Sequence, residues 1–152
     1  MPLRVLPQAL AVTAAWGGLL GLSLWRLYPF GTSGVTASAL GHPLVDSIAL
    51  GMAAAAPVVL WSAIETKRAG FEKASLIARR SLVWFARGAG IGLVVIALAV
   101  PAGVLVPSSP RSVFGELSRA LLIVTAASAF AVTTLKLAFL LVLHALGIRP
   151  RS

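Results

Sequence analysis

Lys136 is the residue whose position in this sequence most directly suggests chemistry. It lies inside an apolar stretch, residues 119–146, and a cation within an apolar membrane segment is costly and commonly functional. Glu65 follows an earlier apolar stretch, residues 44–64, on that segment's small-residue face. We predict an intramembrane charge pair between Lys136 and Glu65, which could relay protons or ions, balance a charged substrate or dock another subunit. The alternatives are a static pair, or a Lys136 side chain that extends to the headgroups.

The remaining polar residues offer little to a catalyst or a cofactor. Cysteine is absent, which excludes disulfides, thiolate metal sites and thiol nucleophiles. His42 and His144 are predicted on opposite membrane faces, roughly 30 Å apart, too far to ligate one haem within a chain; a single-histidine or interchain site stays open. The sequence contains no Gly-rich phosphate loop and no nucleophile–base–acid set. We therefore predict neither an enzyme nor a resident cofactor or metal.

The elements that must position these residues are apolar helices. The chain is 59% hydrophobic and only 11% charged, with a mean hydropathy of +0.96, whereas soluble domains carry about 25% charged residues. A helix that crosses about 30 Å of hydrocarbon needs roughly 20 residues. The four segments of suitable length are 8–27, 44–64, 86–106 and 119–146. We predict an all-α, integral membrane four-helix bundle, with residues 1–152 as a single transmembrane domain.

Basic residues are concentrated in one connection, residues 65–88, which holds six of the 13 Lys and Arg residues. Counting basic residues beside each crossing predicts orientation, because cytoplasmic loops carry the excess. One side receives Arg4, Lys67, Arg68, Lys73, Arg79, Arg80, Arg87, Arg149 and Arg151; the other receives Arg26, Arg111 and Arg119. The bias predicts a bacterial inner-membrane protein with both termini and this connection in the cytoplasm.

The same connection is predicted to be a basic amphipathic helix from Phe71 onward, either lying at the headgroups or continuing into the third crossing. Its basic residues are candidates for contact with anionic lipid headgroups or an acidic partner; alternatively they only set orientation. They are Lys67, Arg68, Lys73, Arg79, Arg80 and Arg87. Trp61 and Trp84 would mark the inner membrane interface. Nucleic acid is not predicted as a partner, because the charge flanks apolar segments.

Small residues are spaced for helix packing, which in lipid depends on close backbone contact. The candidates are Gly17 and Gly21 in the first crossing, Gly51 in the second, and Gly88 and Gly92 in the third. Pro57 and Pro101 are predicted inside crossings, where each should kink its helix.

Four segments carry a resemblance to a known type of protein: HPL at 42–44, AAPVV at 55–59, AGFEKASLIARRS at 69–81 and AVPAGVLV at 99–106. The layout resembles small four-span bacterial membrane proteins of unknown function, a type paired with a small helix-turn-helix regulator. The resemblance implies four crossings and a regulatory or accessory role, and it assigns no catalytic residues.

Two functions of different class therefore stand as hypotheses. The first is a non-catalytic accessory or regulatory subunit, which binds other membrane subunits or further copies of itself through its helices and its cytoplasmic connection. The alternative is a small oligomeric transporter or channel with Lys136 and Glu65 near its path.

Overall fold

A computed structural model describes residues 5–27, 42–103 and 113–147. They form four α-helices: α1 (Val5–Leu27), α2 (Pro43–Arg68), α3 (Ala74–Ala99) and α4 (Val113–Ala145). Each helix is long and apolar enough to cross a membrane. The predicted all-α class and the four candidate spans are thereby confirmed.

Helix α2 starts where its sequence predicts. His42 is the N-cap residue in extended conformation, and its Nδ1 accepts a hydrogen bond of 3.3 Å from the Leu44 backbone N–H. Pro43 occupies the first helical position, where its missing N–H costs nothing. Asp46 lies in the first turn, where a carboxylate favours the helix dipole.

A glycine turn ends α2 and leads into α3. Gly70 has a φ of 78°, a left-handed conformation that L side chains rarely adopt. The Gly70 N–H donates to the Lys67 carbonyl at 2.9 Å, and the Phe71 N–H donates to the Thr66 carbonyl at 3.2 Å. This is a Schellman cap, which satisfies the last carbonyls of α2 and fixes the direction of the following chain.

Helix α3 decides between two alternatives for the basic segment and corrects one expectation. It begins at Ala74, close to the amphipathic helix predicted from Phe71 onward, and continues without a break into the apolar stretch predicted as the third crossing. The predicted crossing, which starts at residue 86, therefore begins inside a longer helix, because charges limit the apolar stretch but not the backbone hydrogen bonds of a helix. The helix also ends earlier, at Ala99, and Pro101 lies in the turn that follows instead of inside a crossing. Val100, which precedes the proline, keeps helical backbone angles (φ −65°, ψ −55°), and the turn closes at Gly103, whose φ is 71°.

The other helix bounds differ less from expectation. Helix α4 begins at Val113, before the predicted residue 119, and ends at Ala145. Pro57 lies inside α2, which continues through it.

Sequence neighbours among the helices pack antiparallel, as their shared contacts require. One core cluster joins the first turns of α1, represented by Val5 and Ala9, to Ala63 near the end of α2 and to Ile77 near the start of α3. A second cluster joins Val58 and Trp84 to Ala129 of α4. The beginnings of α1 and α3 and the ends of α2 and α4 therefore share one end of the molecule, which we call the basic end.

The contact between α1 and α2 is the most extensive of the helix pairs, and glycines lie at its centre. A Cβ added at Gly51 would strike the Gly17 carbonyl oxygen and lie 2.5 Å from the Gly21 nitrogen. A Cβ at Gly21 would lie 2.5 Å from the Ile48 Cα. Real Cβ atoms do not approach backbone this closely, so these positions leave no space for a side chain.

Between α3 and α4 the approach is slightly looser. A Cβ at Gly88 would lie 2.7 Å from the Thr125 carbonyl oxygen, whereas one at Gly92 would make an ordinary 3.4 Å contact with the Thr125 backbone. All five candidate packing glycines thus lie at helix contacts.

Candidate functional site

Two buried tryptophans form the centre of the site near the basic end. Trp61 of α2 is 9% exposed and Trp84 of α3 is 6% exposed. Their rings meet edge to face, with centroids 6.4 Å apart and planes at 86°, the arrangement that the ring quadrupoles favour. We call Trp61 and Trp84 the tryptophan pair.

Glu65 binds the polar edges of both rings. It lies one turn after Trp61, and its Oε1 accepts a 2.7 Å hydrogen bond from Trp61 Nε1. Its Oε2 accepts a 3.3 Å hydrogen bond from Trp84 Nε1 and lies 3.9 Å from Arg80 Nη1. One carboxylate thereby satisfies two buried indole N–H groups and pairs with one guanidinium, which links α2 to α3.

Lys136 binds the aromatic faces of the same pair. Its Nζ lies 4.1 Å from the centroid of the Trp84 ring and 5.4 Å from that of Trp61. The Arg87 guanidinium carbon lies 4.7 Å from the Trp84 centroid. All three distances are within the range of attractive cation–π contacts, and through its two contacts Lys136 joins α4 to α2 and α3.

The structure therefore brings Glu65 and Lys136 to one site, where both contact the tryptophan pair and not each other. Within the described residues, the ion pair of Glu65 is with Arg80, while Lys136 contacts the indole faces. The tryptophan pair lies between the two charges, with N–H edges toward the carboxylate and ring faces toward the ammonium group.

The level of the site along the helices is similar in α3 and α4. Trp84 is about 15 Å along α3 from Ala74, and Lys136 is about 14 Å along α4 from Ala145. The two side chains meet at this common level because Gly88 packs against Thr125 and Ala129, which sets the register of α3 on α4.

Charge in the site is unbalanced. It contains the cations Arg80, Arg87 and Lys136 and, among the residues that the structure describes, the single carboxylate Glu65. Uncompensated charge is costly near apolar surroundings, so an arrangement of this kind can attract an anion. It can also hold its cations in fixed positions for a partner.

The other basic candidates surround the turn at the basic end. Lys67, Arg68, Lys73 and Arg79 are exposed, whereas Arg80 is partly covered, with 41% of its side chain exposed. Lys67 and Arg68 end α2, Lys73 directly precedes α3, and Arg79 lies in the second turn of α3. The candidates thus form two groups: an exposed outer group around the Gly70 turn, and Arg80 and Arg87 at the tryptophan pair. Arg4, Arg149 and Arg151 lie outside the described residues.

Buried hydroxyl groups are satisfied within their own helices. Ser62 donates to the Val58 carbonyl and Thr66 to the Ser62 carbonyl, each at 2.8 Å. Thr133 donates to the Ala129 carbonyl at 2.5 Å. These groups have no need of water or a ligand.

The larger of two described crevices is apolar and lies away from the charged site. Its volume is about 300 Å³, and its walls come from α1, α2 and α4. The lining residues are Leu24, Leu50, Ala53, Ala54, Ile123, Ala126, Ala127 and Phe130. A smaller crevice of about 20 Å³ lies between α3 and α4, beside Trp84 and Arg87. Neither is lined by Glu65 or Lys136.

The described part of the chain offers few ligands for a metal ion or a haem. It contains no group of three His, Cys, Asp or Glu side chains that could hold a metal ion. His42 caps α2, while His144 lies in the last turn of α4 at the basic end. The two histidines are therefore at opposite ends of the molecule.

The sequence assigns Trp61 and Trp84 to the inner interface only, and their role as the centre of the site was missed. Part of the signal was readable: Trp61 and Glu65 are four residues apart, and Trp84 and Arg87 are three apart, so each pair shares a helix face. The contact of Lys136 with Trp84 had no such local signal.

Comparisons with known proteins supply no family. No protein-family model matches the chain, and no match was found among curated proteins or solved structures.

Proposed function

We propose that this chain is a small multi-pass protein of a bacterial inner membrane that acts, without catalysis, as an accessory or regulatory subunit. Its basic end and both termini would face the cytoplasm. The observation that carries the proposal is a fixed cationic face at one end of four apolar helices. Arg80 is anchored to Glu65, and Arg87 and Lys136 are held on Trp84. Charges that are already positioned lose less conformational freedom when they bind an anionic group, and the exposed basic residues of the adjoining turn are left for an acidic partner.

The exposed turn supports a role in docking. Its four exposed basic residues flank the capped Gly70 turn, where they can reach an acidic segment at headgroup level. Charges of this kind mainly raise the association rate and select the orientation of the partner. The outer faces of the helices are apolar, with Leu98 68% and Leu135 70% exposed, which suits lipid, a neighbouring membrane subunit or a second copy of the chain.

The transporter alternative has less support. It needs Lys136 and Glu65 to line a path, and both side chains are held against the tryptophan pair. The hydroxyl groups of Ser62, Thr66 and Thr133 are bound to carbonyls of their own helices, so they offer an ion or a polar substrate few free ligands.

Orientation can be tested directly because the chain has no cysteine. Ser75→Cys adds a thiol in the exposed first turn of α3, and Ala102→Cys adds one in the exposed turn after it. A membrane-impermeant maleimide on intact spheroplasts should label the Ala102→Cys protein and spare the Ser75→Cys protein until the cells are lysed. The reverse pattern would place the basic end outside and overturn the proposed docking face.

The subunit role is tested by purification from native membranes in mild detergent. We expect a partner in fixed stoichiometry, and roughly tenfold less of it with the quadruple variant K67Q/R68Q/K73Q/R79Q, because attraction falls with each exposed charge removed. R26Q, which removes an exposed cation from the other end, should retain the partner. A homo-oligomer without a partner, which carries a flux in liposomes that Lys136→Gln abolishes, would instead establish the transporter.

A further inference from the structure

Two cations share the aromatic surface of Trp84. Lys136 Nζ is 4.1 Å and Arg87 Cζ is 4.7 Å from the same ring centroid. The two groups are therefore at most about 9 Å apart. Like charges at such separations repel, the more strongly where water is scarce. The nearby carboxylate of Glu65 is occupied by both indole N–H groups and by Arg80.

Arg87 lines a groove between α3 and α4, and Lys136 lies one helical turn beyond Val132, which also lines that groove. Arg87, Gly88 and Ile91 line it on α3, and Ser128 and Val132 line it on α4. The crevice at its floor has about 20 Å³, room for about one water molecule. The floor is therefore closed, and a larger ligand must lie along the outside of the groove.

The surface next to the cations is apolar. Val83 of α3 is 46% exposed, and Leu135 and Phe139, on either side of Lys136 in α4, are 70% and 64% exposed. A ligand that reaches both cations also covers apolar side chains. This combination suits a molecule with an anionic group attached to hydrocarbon, and it suits a free inorganic anion poorly.

The position of the groove along the helices matches the depth at which the phosphate group of a membrane lipid lies. From Ser47 to Ile64, α2 carries no charged residue over about 27 Å, and from Ala120 to Leu135, α4 carries none over about 24 Å. These lengths approach the roughly 30 Å of a bilayer's hydrocarbon core. Glu65 and Lys136 follow directly, at the depth where phospholipid phosphate groups begin.

We infer that Arg87, Lys136 and Trp84 form a binding site for one anionic phospholipid, with its phosphate on the two cations and its acyl chains along the α3–α4 groove. Guanidinium recognises phosphate oxygens in a bidentate geometry, and a bound phosphate relieves the repulsion between the cations. The inference rests on the membrane placement in the proposed function, but not on a protein partner. An acidic protein segment is a weaker candidate for this site. Trp84 lies about 15 Å along α3 from Ala74, further into the proposed membrane than the exposed turn that a soluble segment would reach.

The site is tested by native mass spectrometry of the full chain released from mild detergent. With added phosphatidylglycerol, the protein should retain one lipid, and with phosphatidylcholine it should retain none under the same activation. R87Q/K136Q should bind phosphatidylglycerol roughly 30-fold more weakly, because it removes two charged contacts with the phosphate, each of which contributes roughly a factor of five to six. K67Q/R68Q removes the same charge from the outer group and should change binding by less than a few-fold.

A second measurement keeps the test independent of folding defects. R87K/K136R preserves both charges and should retain the lipid, and near-ultraviolet circular dichroism should show that each variant keeps its tryptophan environment. In vesicles of phosphatidylcholine with a minor fraction of brominated phosphatidylglycerol, tryptophan fluorescence should be quenched more than with brominated phosphatidylcholine. R87Q/K136Q should abolish that difference.

Several outcomes would overturn the site. Equal loss of lipid in K67Q/R68Q would indicate general electrostatic attraction, and equal retention of phosphatidylcholine would remove the anion requirement. Displacement of the lipid by inorganic phosphate, or by a soluble polyglutamate peptide, would identify those as the ligand class. None of these results bears on partner capture by the outer group, so failure of this site and failure of the subunit role are separable.

Discussion

Replacement of Gly51 by alanine should destabilise the protein, although alanine is the better helix former. Gly51 lies where α1 and α2 approach most closely, and a Cβ there would lie 2.5 Å from the Gly21 nitrogen and 2.8 Å from its Cα. Both are backbone atoms, so no flexible side chain can move aside. Helix α1 would have to shift by about 1 Å to restore contacts of about 3.5 Å.

The magnitude follows from two opposing terms. Overpacking of a close contact costs typically 1–3 kcal/mol, and here the shift also loosens the neighbouring contacts of Gly17. Alanine in place of glycine also stabilises the helix itself by about 1 kcal/mol, because alanine has the higher helix propensity. Because the clash is with three backbone atoms, the overpacking cost belongs in the upper half of its range, about 2–3 kcal/mol, and the net loss should be about 1–2 kcal/mol. Gly90→Ala is the matched control: Gly90 lies in the middle of α3 with no atom within 4 Å of its added Cβ, so only the favourable term applies.

The assay is thermal unfolding of both variants in the same mild detergent, followed by circular dichroism. For a chain of this size, 1 kcal/mol corresponds to about 2–4 °C. The midpoint of Gly51→Ala should therefore fall by about 2–8 °C, while that of Gly90→Ala stays level or rises. The steric reasoning fails if Gly51→Ala melts at or above the temperature of Gly90→Ala.

Three further predictions concern the basic end. Glu65→Gln should cost about 1–3 kcal/mol of unfolding free energy and change the tryptophan fluorescence, because the amide puts an NH2 donor in place of one of the two oxygens that accept from the indole N–H groups. The exposed Glu72→Gln is the control, and equal effects would deny Glu65 its structural role. Lys136→Met, which keeps most of the stem, should cost about 0.5–2 kcal/mol through lost cation–π contact, measured by chemical denaturation at two salt concentrations. Gly70→Ala should cost about 1 kcal/mol because of its left-handed backbone, and an unchanged midpoint would show that the turn can adopt another conformation.

The helices could be predicted from the sequence to the extent that hydrophobicity defines them. The start of α2 was readable because Pro43 and Asp46 act locally as a first helical residue and a dipole partner, whereas the capping role of His42 was not predicted. The start of α3 was readable from the amphipathic pattern after Phe71, but the basic residues left open whether that helix continues into the third crossing. Pro101 was misjudged because its apolar neighbours extend the hydrophobic stretch beyond the end of the helix.

The site was predictable only in part. The sequence identifies Lys136 and Glu65 as unusual because each is a charge beside apolar residues. It does not reveal that the tryptophan pair lies between them, because that depends on how α4 is aligned with α3. The alignment follows from the contact of Gly88 with Thr125 and Ala129, two residues whose pairing is a property of the packed helices and not of either segment alone.

The two hydrogen bonds of Glu65 also impose an order of events during synthesis. Trp61 precedes Glu65 in the chain, whereas Trp84 follows it by 19 residues. At roughly 5–20 residues per second, a ribosome leaves the carboxylate with one indole donor for about 1–4 s. For that interval the Glu65 carboxylate at the end of α2 has only one of its two indole hydrogen bonds, which disfavours burial of this end of α2 before α3 is present. On the proposed membrane placement, α2 and α3 should therefore enter the bilayer together as one hairpin, and α4 should add its ammonium group last.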